Sequence, residues 1–522
     1  MTPPRTVPTP ASPEATTVRW VEILAVVASV MLCDLTIYRG QGYMGLAGLC
    51  LGLPLLLLFG SPIRRCNVSL GVMCWLLTGV IARLAWCGSP GAVVVGVACL
   101  IGYAMSLAGL PPYVTRALLF ASQLIAAGHR GLNLYASRLA VKSSWIPGRG
   151  RFLSVGFPLV ALVVFGTLFI LANPDLVKSI GVQFEQLVNM LTGWFENFSI
   201  LEIPFCVAAG WLVIGLLRPD RREPEEWVVM EEADPPGPAP LFEAFRNTLV
   251  MVVGLFAVYL VFEFRTLWFR EFPKGFHYSG YAHQGAAWLT VALALATVLL
   301  SMIFQGRILR DERLGRLRVL AWIWSVENFV LALAVFHRLS IYVGFNGMTR
   351  MRTIGWLGIT SVGIGFLFVV IKISSQKDFR WLLRRQLWTV SFAAYLYFIL
   401  PVDRWITQYN VQRVLVGDLA PVVQISEHPL SAEGYLELAP LLKCQDITIR
   451  NGITAMLALR LGEAEKYEVW RRDAGWTGGQ IAEAQLLKQW MAIPDILASQ
   501  GMIESSRDSD MSAFRKYAYQ WY

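Results

Sequence analysis

The chain has 522 residues, of which 55% are hydrophobic and 16% charged, with a mean hydropathy of +0.51. An average soluble domain carries about a quarter charged residues, so this composition excludes a water-soluble globule and predicts a lipid-embedded chain. The formal charge of +9 does not mark a nucleic-acid binder. After Val402 there are 12 basic and 15 acidic residues, and the other 33 basic residues sit in short loops rather than in one stripe.

Met1–Val18 is rich in Pro and Thr, shows no hydrophobic periodicity and reads as a disordered tail. Val21–Tyr38 is apolar apart from Glu22 and Asp34. No small-residue cleavage site follows it, so it reads as an anchor rather than a removed signal. Ten further runs follow, at 43–60, 68–87, 91–110, 153–172, 201–217, 245–268, 286–304, 319–337, 353–371 and 387–402. Each approaches the roughly 20 apolar residues that cross a bilayer as a helix. Two connections are amphipathic instead. Tyr113–Leu139 mixes leucines with Arg116, Arg130 and Arg138. After Asn173-Pro174-Asp175, apolar residues from Leu176 to Phe198 recur every three or four positions, as in a helix lying in the interface.

The expected fold class is therefore all-α: a polytopic membrane protein with about 11 transmembrane helices, two interfacial helices and a small C-terminal helical domain. With the N-terminus inside, 24 of the 33 basic residues fall on the inner side, which places the C-terminus outside. The expected parts are a tail at 1–18, a first bundle at 19–217, a Pro- and acid-rich cytoplasmic linker at 218–244, a second bundle at 245–402 and an external domain at 403–522. In that domain Asp446 is expected to cap a helix over Ile447–Leu461 with Gly462 as its stop. Thr477-Gly-Gly-Gln480 is expected to form a capping box before Ile481–Trp490.

The eight cysteines contain no C-x-x-C pair, and His277 and His283, six apart, do not share a helical face. Neither a metal nor a cofactor is expected. Charges inside spans cost a few kcal/mol each and are the first functional candidates. Glu327 is the one acid at mid-span, while Asp34 and Arg83 read as a structural pair. Two polar connections, Glu263–Gln284 and His337–Arg352, fall on the same outer side. They supply a candidate cluster of Glu263, Arg265, His277, Tyr278, Tyr281, His337, Arg338, Tyr342, Arg350 and Arg352. Thr349, after the Asn346-Gly347 turn, is placed to cap the next helix. The basic excess there calls for an anion. It comes either from acids of the C-terminal domain, such as Glu427, Glu433 and Glu437, or from an anionic lipid or lipid-linked phosphate that suits guanidinium forks.

Four features together resemble an uncharacterised family of bacterial integral-membrane proteins, classed as a domain of unknown function. They are Asn173-Pro174 after a span, Tyr278-x-x-Tyr281-Ala282-x-x-Gly285, Tyr342…Gly347-x-Thr349-Arg350-x-Arg352, and Tyr409-Asn410-x-x-Arg413. The resemblance covers residues 157–415. Where the family pattern has arginine after the Tyr-Ala pair, this chain has His283. The resemblance implies a bacterial cytoplasmic membrane and supplies no activity. Three readings stay open: a membrane scaffold or sensor whose C-terminal domain binds a protein partner, a transporter or flippase for an anionic or amphiphilic solute, and an enzyme acting on a lipid-linked substrate.

Overall fold

The computed structural model describes residues 18–62, 67–138, 199, 201–219, 241–265, 278–304, 308, 311–375, 377, 379–500 and 504–521. Among the described residues it is all-helical, 86% helix with no strand. In lipid an unpaired backbone amide costs several kcal/mol, and a helix pairs all but its ends internally. Among the described residues seven helices are long and apolar enough to cross a membrane: Trp20–Tyr38, Tyr43–Gly60, Val68–Cys87, Pro90–Leu107, Phe242–Glu263, Leu314–Asn346 and Arg350–Ser374. Two shorter apolar stretches, Glu202–Leu217 and Trp288–Ile303, match the runs expected at 201–217 and 286–304. The run at 387–402 lies on the helix Phe379–Ile399, whose first turns carry Arg380, Arg384 and Arg385. The run at 153–172 and the amphipathic stripe at 176–198 lie outside the described residues.

The chain divides into two units, one of Met1–Ile81, Gly96–Pro112 and Arg116–Arg221, the other of Ala82–Val95, Tyr113–Thr115 and Arg222–Tyr522. The first holds α1 (Trp20–Cys33, continued by a π-turn Asp34–Tyr38), α2 (Tyr43–Gly60), parts of α3 (Val68–Cys87) and α4 (Pro90–Leu107), most of α5 (Val114–Arg138) and α6 (Glu202–Leu217). Ion pairs at both ends tie α1 antiparallel to α6. At one end Arg218 Nε donates to Glu22 Oε1 at 2.5 Å, and Tyr135 donates to the same carboxylate. At the other Arg39 lies 2.5 Å from Glu202 and 3.0 Å from Asp34. Asp34 thus pairs with Arg39 at the end of its own π-turn and not with Arg83, because the i→i+5 geometry of a π-turn brings the two onto one face without any tertiary constraint.

The second unit holds α7 (Phe242–Glu263), α8 (Tyr278–Ile303), α9 (Leu314–Asn346), α10 (Arg350–Ser374), α11 (Phe379–Ile399) and the C-terminal helices. Its helix ends sort into two levels. At one level the Arg313 guanidinium stacks 4.1 Å from the Phe242 ring, joining the starts of α7 and α9. Lys372, in the last turn of α10 and 2% exposed, donates to the Ser301 and Phe304 carbonyls at 3.0 Å. It thereby caps the end of α8, where a cation suits both the orphan carbonyls and the helix dipole. At the other level Glu263 meets Arg338. So α7 and α9 run one way, and α8 and α10 the other. Between the levels Leu249, Leu300, Leu317, Trp324 and Val369, all 1% exposed or less, form one core, and Leu293, Leu331 and Val335 another.

After α11 come α12 (Val402–Leu415), α13 (Val422–Glu427), α14 (Ala432–Leu436), α15 (Ile447–Ala474), α16 (Ile481–Trp490), α17 (Pro494–Gln500) and α18 (Glu504–Ala518). They share a core of Ile449, Ile453, Leu457, Leu461, Leu486, Trp490 and Phe514, each 1% exposed or less. Asp446 caps α15 through the amides of Thr448 and Ile449 at 2.8 and 3.2 Å. Gly462 does not stop that helix. A glycine costs about 1 kcal/mol mid-helix, and burying Leu461 and Ala464 on either side outweighs it. The stop is Gly475, at φ +66. The expected capping box does not form either. A 3-10 turn occupies Gly475–Gly478, and the Gln480 side chain accepts from the Gly88 amide instead.

Candidate functional site

Of the two polar connections singled out, the second, from Gly347 to Arg350, lies at the junction between the second bundle and the C-terminal helices. Thr349 caps α10 by accepting from the Arg352 amide at 3.3 Å. The turn before it needs Gly347. Its φ is +82, and an added Cβ would meet Asn410 Oδ1 at 2.7 Å and Pro421 at 2.8 Å. Asn410, 2% exposed on α12, accepts from the Met348 amide at 2.7 Å and donates back to the Met348 carbonyl at 2.9 Å. Arg413 on the same helix reaches the Val343 carbonyl at 2.8 Å, as well as Gly344 and Asp418. A side chain that mimics a backbone partner leaves no slack, so α12 and the α9–α10 turn hold one register.

The arginines are engaged by the protein itself. Arg338, 3% exposed, forks onto Glu263, 0% exposed, with Nε 2.6 Å from Oε1. Tyr259 donates to the same carboxylate at 3.0 Å. Arg352 is buried, bonds to the Gly347 carbonyl and lies 3.9 Å from the Tyr342 ring centroid. Arg350 forks onto Asp403, with Nε 2.6 Å from Oδ1. Burial opposes ionisation of Asp403, but the bonds from Arg350 and the Ser431 amide prevail and hold its carboxyl below the usual aspartate range. Arg83, at the end of α3, donates to Glu433 at 2.6 Å, joined by the Trp86 indole at 3.2 Å. Arg404 pairs with Glu437 at 2.7 Å.

The remaining sequence candidates lie apart. Arg265 is exposed at the end of α7, and His337 is half-buried on α9. Tyr278 and Tyr281 fall in the first turns of α8 with their side chains outside the described set, and His277 lies outside it altogether. Glu327 sits midway along α9. Its Oε2, together with Asn328 Oδ1 and Trp324 Nε1 on the same helix, is buried without a hydrogen-bond partner among the described residues. Sequence reasoning missed Asp403, Asn410 as a clamp, and Lys372. Of these, only the placement of Asp403 at a helix start and Asn410 within a quoted motif left any local signal.

These features define a polytopic helical membrane protein whose C-terminal helices are stitched to the ends of its apolar ones. Residues 52–441, about three quarters of the chain, match the family described as a domain of unknown function, DUF4153, and the chain belongs to that family. The match is wider than the 157–415 suggested by motifs. It begins midway along α2 and takes in Glu433 and Glu437 at the other end. No curated protein and no solved structure matches the chain.

Proposed function

We propose that the protein is a membrane scaffold or sensor whose C-terminal helical domain is held on the outer membrane face and presents its free side to a protein partner. The observation that carries this reading is the set of ties across one junction, Arg83–Glu433, Arg350–Asp403 and Asn410–Met348. They use the arginines that a phosphate would otherwise need, and so favour the domain's own acids as the compensating anion. The acids differ in part from those expected, since Asp403 rather than Glu427 takes the fork.

The same contacts support the orientation and the eleven-span arrangement. The hairpin tip at Gly88, the turn at Met348 and the end of α11 all meet one small domain, which lies on one membrane face. The opposite level carries Arg313, Arg316, Arg318, Lys372 and Arg380, which retention of positive charge makes cytoplasmic. On the domain's surface Val469 (63% exposed), Trp476 (59%) and Met491 (50%) are large apolar side chains of the kind partners grip. The test is cross-linking in native membranes. A scaffold captures the same protein with wild type and Glu327→Gln, and loses it with Trp476→Ala.

A second reading, ion-coupled transport, is favoured by Glu327, Asn328 and Trp324, which bury polar atoms without a partner among the described residues midway along an apolar helix, where such groups are costly. In proteoliposomes Glu327→Gln abolishes coupled uptake if this reading holds. Unchanged capture together with no uptake in wild type refutes it.

A further inference from the structure

Between α9, α10 and α12 lies an open groove of about 430 Å³, within the usual size range of small-molecule sites. It lies beside the α9–α10 turn, at the end of two helices apolar enough to span. Its walls are aliphatic at Val343, Val402 and Ile406 and aromatic at Trp356, Trp405 and Tyr409, and no charged side chain lines it. Trp405 is 51% exposed and Tyr409 39%, which is costly in water but favourable at the level of lipid glycerol and headgroups, where amphipathic rings concentrate. Trp356 packs edge-on against Phe336 at 5.5 Å, and its buried indole nitrogen has no acceptor among the described residues.

We propose that this groove holds one acyl chain of a bilayer glycerolipid. The uncharged lining selects a hydrocarbon chain over a phosphate or carboxylate. Arg352, beside Thr353, is buried on the Gly347 carbonyl and the Tyr342 ring, and Arg350 and Arg404 pair with Asp403 and Glu437, so the rim does not discriminate between zwitterionic and anionic headgroups. The inference rests on the membrane placement of α9 and α10 and is independent of the scaffold reading.

The test uses the full chain in phosphatidylcholine vesicles containing a small fraction of phosphatidylcholine with a diazirine on one acyl chain. After irradiation, labelled peptides are mapped. Label concentrates on Thr353–Trp356 and Val402–Tyr409, above that on the outward face of α7 at Met251, Leu255 and Val258, which only annular lipid touches. Ser340→Phe, filling the groove from its wall, lowers the groove label several-fold at an unchanged melting temperature. A phosphatidylglycerol probe gives the same yield. Groove labelling no higher than on α7, or undiminished by Ser340→Phe, overturns the proposal. A phosphatidylglycerol preference overturns it too, since a headgroup site would then govern instead.

Discussion

Removing the Glu433 carboxylate is the sharpest perturbation of the junction. Its side chain is 0% exposed and that of Arg83 10%, so the pair is dry. A single oxygen, Oε2, takes both the Arg83 and Trp86 donors. Glu433→Ala therefore strands a guanidinium with no compensating charge, which costs about 3–5 kcal/mol, or roughly two to three and a half decades in the opening equilibrium. Arg350 is 44% exposed, so water recovers part of the loss, and Arg350→Ala costs about 1–3 kcal/mol. Arg404 and Glu437 are 50% and 20% exposed, and breaking that pair costs about 0–1 kcal/mol. Hydrogen exchange of peptides spanning 422–443, in the full chain in detergent, reads all three on one scale. The order Glu433→Ala, Arg350→Ala, Arg404→Ala is expected, with Arg83→Met combined with Glu433→Leu recovering most of the protection. Equal protection in all three variants would refute the claim that dry ion pairs hold the domain.

Two further outcomes follow from the same geometry. Gly452 lets α18 cross α15, since an added Cβ would meet Phe514 at 2.3 Å; Gly452→Val should lower stability by about 1–3 kcal/mol in a thermal melt of the full chain. Asp403 and Asp446 are both held below the usual aspartate range, burial opposing and hydrogen bonds prevailing. A depressed folded value stabilises above the ordinary aspartate range and loses that stabilisation as pH falls through the folded value, so exchange protection of 402–461 should drop on acidification below about pH 4, and Asp403→Asn should flatten that drop.

How much of this was legible in the sequence depends on the distance over which each feature is decided. Apolar run length marked the spanning helices, and local chemistry marked the caps at Thr349 and Asp446, because both act within one turn. Gly462 misled because the burial of Leu461 and Ala464 is a tertiary gain that propensity does not carry. Arg83 finds Glu433 across 350 positions, and the competing partner Asp34 looked equally suitable by type. Lys372 follows the apolar run at 353–371 and carries no local sign of a partner; only the packing of α10 on α8 turns it inward onto orphan carbonyls. The arginines of the two polar connections were visible as an excess of charge, but the pairing of Arg350 with Asp403 needed the position of α12, which no periodicity supplies.

The central claim, a C-terminal domain docked on the outer face by buried ion pairs, is tested most directly by protease added to one side of oriented vesicles. Wild type in right-side-out vesicles should keep residues 403–522 intact, Glu433→Ala should be cut there, and inside-out vesicles should protect the domain in both. Cleavage of the domain only in inside-out vesicles, or equal resistance of wild type and Glu433→Ala when the protease has access, would contradict it.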